Sequence, residues 1–232
     1  MNAADCILPF GQSAGERVDF ADFDIKVDSP YADTNWMKDK YDSTPLYLSN
    51  ASVGTTRIMA ERLQQANEIL KRGNIQILIW DGYRPVSAQQ ILWDWGEKNL
   101  DGPTEQYIGF PGKSDHNVGL AVDLTLADLS GDEIEMPSKF DHFEPAYAHP
   151  PKKDAAGNLV QPEKWSTAAF ENWEKLHTAM ESVGLTCHPE EWWHYSPVEW
   201  EAAKAVSDDA RHQFLRDFGF KRLLTQDELK TV

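Results

Sequence analysis

Cysteine is nearly absent from this sequence: Cys6 and Cys187 are the only two in 232 residues, too few for a disulfide framework to carry the fold. Two idle thiols are the expected reading, and a single Cys6 to Cys187 bridge is the other. Basic residues are also scarce, with 22 Lys and Arg against 38 Asp and Glu and a formal net charge of -16. Phosphate backbones and anionic lipid surfaces are recognised by clustered cations, so neither nucleic acid nor a membrane is an expected partner. No apolar run approaches the length that spans a bilayer, and the short apolar stretch 7–10 lacks a basic region before it. The default compartment for such a chain is cytoplasmic. Internal repeats and low-complexity tracts are missing as well, which excludes solenoids and arrays. What remains is 41% hydrophobic and long enough for one sizeable core. A single domain over 1–232 is expected, with its motifs in a core at about 25–198 and a C-terminal tail, 199–232, of open role.

Periodicity places the elements. Phe20, Phe23, Ile25 and Val27 alternate loosely among acids and suggest an extended segment, while 31–45 is polar and aromatic without a period and reads as a loop. From Thr55 a helix is marked by Met59, Leu63, Ala66 and Leu70, with Lys71 and Arg72 in its last turn and Gly73 as its stop. Residues 75–80 read as a buried strand, and Asp81, Gly82, Tyr83, Arg84 and Pro85 turn from its carboxyl end into a second helix reaching about Trp95. After the Gly- and Pro-rich loop 97–113, residues 120–126 read as a strand containing Asp123. A turn at 130–132 leads into a hairpin partner at 133–136, and 137–161 is a long unperiodic connection. Ser166 caps a helix lined by Phe170, Trp173, Leu176, Met180 and Val183, ended by Gly184 before a strand that carries Glu191 and His194. Ser196, Pro197 and Glu199 form a capping box for a helix from 198. This order suggests an α+β fold with a mostly antiparallel sheet flanked by helices.

Two stretches carry the chemistry. Ser114 to Asp123 sets His116 and Asp123 seven residues apart, and far downstream Glu191, Trp192, Trp193, His194 and Tyr195 supply a second histidine beside a second carboxylate. Two imidazoles and one carboxylate hold a hydrolytic zinc ion and leave the fourth position for water, and a carboxylate that is not a ligand serves as base. On a regular strand Glu191 and His194, three apart, point to opposite faces, so a bulge or strand end is needed to bring both to one water. His188 is the rival ligand. His142, His149, His177 and His212 lack a paired carboxylate, Glu190 is a neighbouring acid, and Trp80, Trp93, Trp173, Trp192 and Trp193 fall on expected strands or helices and read as core.

Ser114, His116, Gly119, Ala121 and Asp123, then Glu191 to Tyr195, with Trp80 to Pro85 upstream, resemble the zinc D-alanyl-D-alanine dipeptidases associated with vancomycin resistance. The resemblance runs from roughly Ile25 to Tyr195. It implies a fold shared with the D,D-carboxypeptidases and the hedgehog signalling domain, and one Zn2+ per chain held by His116, Asp123 and His194. Glu191 is then the general base and Arg84 stabilises the tetrahedral transition state. Asp115 and Val118 depart from the small or basic residues common there. A dipeptide substrate also presents two charged ends; Asp141 is the candidate for its ammonium, and Ser114 and Tyr31 for hydrogen bonds to its carboxylate or amine. The alternatives are a carboxypeptidase or endopeptidase on longer cell-wall peptides, or a non-catalytic zinc-stabilised binding domain. The joint presence of Glu191 and Arg84 argues against the last, because structural zinc requires neither. Oligomeric state is not readable.

Overall fold

The computed structural model describes residues 14–217, so Cys6 and its bridge lie outside the described residues. The strands are β1 (Arg17–Asp19), β2 (Lys26–Val27), β3 (Gly54–Thr56), β4 (Ile75–Asp81), β5 (Val122–Asp128), β6 (Leu185–His188) and β7 (Glu191–Pro197). The helices are α1 (Thr34–Tyr41), α2 (Arg57–Lys71), α3 (Val86–Asn99), α4 (Pro145–Ala148), α5 (Thr167–Ser182), α6 (Val198–Val206) and α7 (Asp208–Asp217). The main sheet runs β2-β4-β5-β7-β6, parallel between β2 and β4 and antiparallel elsewhere, while β1 and β3 pair separately. The architecture is α+β, as the element order suggests. No described helix is long and apolar enough to cross a membrane.

The apolar stripes do what their period requires. Leu63, Ala66 and Leu70 of α2 and Trp173, Leu176 and Met180 of α5 are buried where α2 lies against β4 and α5. Ser166 caps α5 by accepting from the backbone N–H of Ala169. Part of the same core is aromatic: Phe140 stacks on Trp36 at 5.8 Å and meets Trp80 at 5.1 Å, and Trp80 meets Trp192 at 5.7 Å. It ties α1 and the segment after the turn at 130–132 onto the sheet.

Four local expectations are corrected. The stretch 31–45, expected as a loop, contains α1, capped by Asp33, which accepts from the N–H of Trp36. Only Met37 and Tyr41 of α1 are buried, one pair four residues apart, too little for a period to show. The hairpin partner at 133–136 shrinks to a bridge between Ala127 and Glu133; Pro137 has no N–H to continue a ladder. At the end of α2 the left-handed residue is Asn74, at φ 59, rather than Gly73. The capping box at 196–199 does not form, because the Glu199 carboxylate is taken by Arg62 through both terminal nitrogens, at 3.0 and 2.9 Å. The Arg62 side chain is 1% exposed, and a guanidinium that deep is tolerated only when paired.

Candidate active site

The register of the central strands sets three site residues in line: Asp81 on β4 faces Asp123 on β5, which faces His194 on β7. The bulge that Glu191 needs is present. Cys187 pairs with Tyr195 while His188 pairs with Glu191, so 192–194 are extra residues on β7, and Glu191 Oε2 lies 3.6 Å from His194 Nδ1.

His116 comes from a 3-10 turn over Asp115–Val118, closed by Gly119 in the left-handed region at φ 68. The Gly119 carbonyl accepts from the hydroxyls of Thr55 and Thr56, both at 3.0 Å, which is why Thr56 precedes α2 without capping it by its side chain. His116 Nδ1 donates to the Gly82 carbonyl at 2.7 Å, so in the neutral ring the lone pair falls on Nε2. That Nε2 is 3.3 Å from His194 Nδ1 and 3.3 Å from Asp123 Oδ2, and Asp123 Oδ1 is 3.1 Å from His194 Nδ1. The donor atoms of His116, Asp123 and His194 all lie within 4.8 Å of one another, and all three residues are buried. Burial alone pushes the Asp123 carboxyl up, but the imidazoles of His116 and His194 outweigh it and hold it well below the usual carboxylate range. Lone pairs of two imidazoles and one carboxylate converging on one buried point are a donor set that fits zinc.

The trio opens on a cavity of about 240 Å³ lined by Glu191, Arg84, Asp141, Ser114 and Lys204 among others. Arg84 donates from Nε to Asp81 at 2.7 Å, from one terminal nitrogen to Gln89 at 2.9 Å and from the other to Asp123 at 3.2 Å. The ion pair with Asp81 therefore exists beside the place at the cavity wall. Asp141, in the left-handed region at φ 55, is buried rather than a solvated loop acid. Its Oδ2 accepts from the hydroxyls of Tyr31 at 2.9 Å and Tyr41 at 2.5 Å. Tyr31, expected to meet a ligand itself, has its hydroxyl committed to Asp141. Burial raises the Asp141 carboxyl to about 6, with Tyr41 opposing. Glu191 is also held well above the usual carboxylate range, first by burial and then by the charges of Asp123 and Asp141. His188 lines the same cavity but stands outside the converging donor set, and burial lowers it to about 3. Glu190 is exposed.

Sequence reasoning missed Tyr41, Gln89 and Tyr47, whose hydroxyl donates to Asp81 at 2.8 Å.

A buried His-Asp-His set with a free carboxylate at its edge, at the end of a sheet, is the arrangement of a metal-dependent hydrolase. The chain belongs to the D-ala-D-ala dipeptidase family of peptidases, whose profile matches residues 16–212. It is 30% identical to the D-alanyl-D-alanine dipeptidase of Enterococcus faecium over 187 residues, covering 74% of this chain and 85% of that protein. It is 29% identical to the D-alanyl-D-alanine dipeptidase of Streptomyces coelicolor over 197 residues, covering 75% and 87%. Among solved structures, a vancomycin-resistance D,D-pentapeptidase in complex with Zn(II) is similar at TM-score 0.41 and 19% identity, covering 72% of this chain and 85% of that one.

Proposed function

We propose that the chain hydrolyses the dipeptide D-alanyl-D-alanine with one zinc ion held by His116, Asp123 and His194. The observation that carries this reading is the cavity itself, in which the buried donor trio, Glu191, Arg84 and Asp141 share one wall-to-wall space. The bound ion supplies Lewis-acid polarisation of the scissile carbonyl.

Glu191 takes the proton of the attacking water and delivers it to the leaving amine. Arg84 presents five N–H groups, of which three are engaged by Asp81, Gln89 and Asp123. Those left over stabilise the oxyanion that develops at the carbonyl. Both tyrosine hydroxyls go to Asp141 Oδ2, which leaves Oδ1 for the substrate ammonium, and the Ser114 hydroxyl donates a hydrogen bond to the substrate carboxylate. With two methyl groups to offer, the substrate gains only about 2 kcal/mol from apolar contact, so selection rests on its charged ends. A cytoplasmic location, where such a dipeptide is a wall precursor, belongs to the same reading.

The test compares kcat/KM for D-alanyl-D-alanine, its N-acetyl form and a pentapeptide ending in the same pair, using zinc-loaded protein. An acylated amine leaves the buried Asp141 carboxylate without a cationic partner, which costs about 2 to 5 kcal/mol, so the free dipeptide is expected to be hydrolysed at least about thirtyfold better. Equal rates on the pentapeptide would overturn the dipeptidase reading in favour of a carboxypeptidase.

A further inference from the structure

The loop that carries Ser114 and His116 is held from two sides. On the inner side, the backbone N–H of Arg84 donates to the His116 carbonyl at 3.1 Å and Asn117 Nδ2 donates to the Arg84 carbonyl at 2.7 Å. On the outer side the contacts come from the C-terminal helices. Lys204 of α6 donates to Asp115 at 2.5 Å, and Arg211 of α7 donates to the Lys113 carbonyl at 3.3 Å. The two grips fall on the residues flanking Ser114, and Asp115 directly precedes His116.

We propose that α6 and α7 form a clamp on this loop, with Lys204 and Arg211 as positioning residues for Ser114 and His116. The proposal deepens the zinc dipeptidase reading and rests on it for the roles of those two residues.

The clamp is built on one rigid plate. Trp200 is fully buried, and the Lys204 ammonium lies 5.8 Å and the Arg211 guanidinium 5.4 Å from its ring centre. Phe214 meets the same indole at 5.6 Å, and Leu215 is 1% exposed, so α7 is packed onto α6. Glu201 accepts from Lys204 at 2.8 Å and helps fix its rotamer. An exposed ion pair would contribute next to nothing. This one joins a Lys204 side chain 28% exposed to an Asp115 side chain only 11% exposed, and removing the cation strands a largely buried carboxylate next to a candidate metal ligand. Lys204, Asp115, Lys113 and Ser114 all line the site cavity, so a shift of the loop is a shift of the site wall. Chemistry that depends on near-attack geometry loses about a hundredfold for a displacement of about 1 Å.

The experiment uses full-length Lys204→Met, Lys204→Arg and Arg211→Gln. Hydrogen exchange of the 113–119 amides is followed in metal-free protein, and kcat and KM for D-alanyl-D-alanine in zinc-loaded protein. Lys204→Met is expected to speed exchange in 113–119 about tenfold or more while α2 and β4 keep their protection, and to lower kcat more than it raises KM. Lys204→Arg restores most of both, and Arg211→Gln shows a smaller loss in the same direction. Should Lys204→Met fail to fold, the Arg211→Gln comparison decides alone. Unchanged exchange and unchanged kcat in the folded variants would overturn the clamp. Wild-type protein that does not hydrolyse D-alanyl-D-alanine would instead overturn the proposed function, and the exchange measurement would still decide the clamp.

Discussion

Arg84 and Asp141 show how single residues divide between holding the fold and serving the site. Three donors of Arg84 are engaged by neighbours, so a lysine there keeps a charge but cannot hold Asp81, Gln89 and Asp123 together and still reach a carbonyl. Arg84→Lys is expected to lower kcat by about two to three orders of magnitude with zinc retained by metal analysis; a near-normal rate would reduce Arg84 to a structural ion pair. Asp141 is raised from its ordinary 3.8 to about 6 by burial. A carboxyl raised on folding contributes fully below its unfolded value, and that contribution is lost as pH rises through the folded value. Ionised Asp141 therefore destabilises the free protein above about pH 6 by about 3 kcal/mol. Asp141→Asn should raise the Tm of metal-free protein at pH 7.5, with the gain fading between about pH 6 and pH 4, while kcat/KM collapses. A Tm unaffected by the substitution at pH 7.5 would contradict the burial of this charge. His116, Asp123, His194 and Glu191 stand out in the sequence as two His–carboxylate stretches, and Arg84 was singled out only by the resemblance; the structure sets all five around one cavity. Tyr41 was not readable, since it acts by touching Asp141, 100 residues away, and Gln89 was not, since its contact with Arg84 forms only once the turn into α3 has folded.

At the scale of elements, legibility followed length and period. α2 and α5 bury long stripes and announced themselves, whereas α1 has a single buried pair and rests on the Asp33 cap and on aromatic neighbours. The bulge in β7 was demanded by chemistry, because Glu191 and His194 had to share a face, yet nothing in the residues 192–194 specifies it. It becomes visible only as a mismatch with β6, a partner chosen by tertiary pairing. The same holds for Glu199, whose helix-start signal was overruled by a buried arginine from α2. Because α1 delivers Tyr41 to Asp141, its cap has a functional consequence. Asp33→Ala is expected to cost about 1 kcal/mol in chemical unfolding and to raise KM for D-alanyl-D-alanine more than it lowers kcat. A stability loss with KM unchanged would separate α1 from ammonium recognition.

The whole molecule gathers two distant motifs and an upstream turn at one end of one sheet. The donor trio brings a carboxylate and two imidazoles together on one buried point, and an ion bound there stabilises the folded state by mass action. At a hundredfold excess of zinc over Kd the gain is about 3 kcal/mol, or on the order of 5–10 °C in Tm, and chelation should reverse it; a Tm insensitive to both would mean that the trio holds no metal. The measurement that separates holding the ion from using it is paired zinc content and D-alanyl-D-alanine turnover for wild type and Glu191→Gln. The expected result is one zinc per chain in both proteins, with turnover lost by at least about three orders of magnitude in the variant. A Glu191→Gln protein that keeps its zinc and still turns over the dipeptide near the wild-type rate would contradict the assignment of Glu191 as the base.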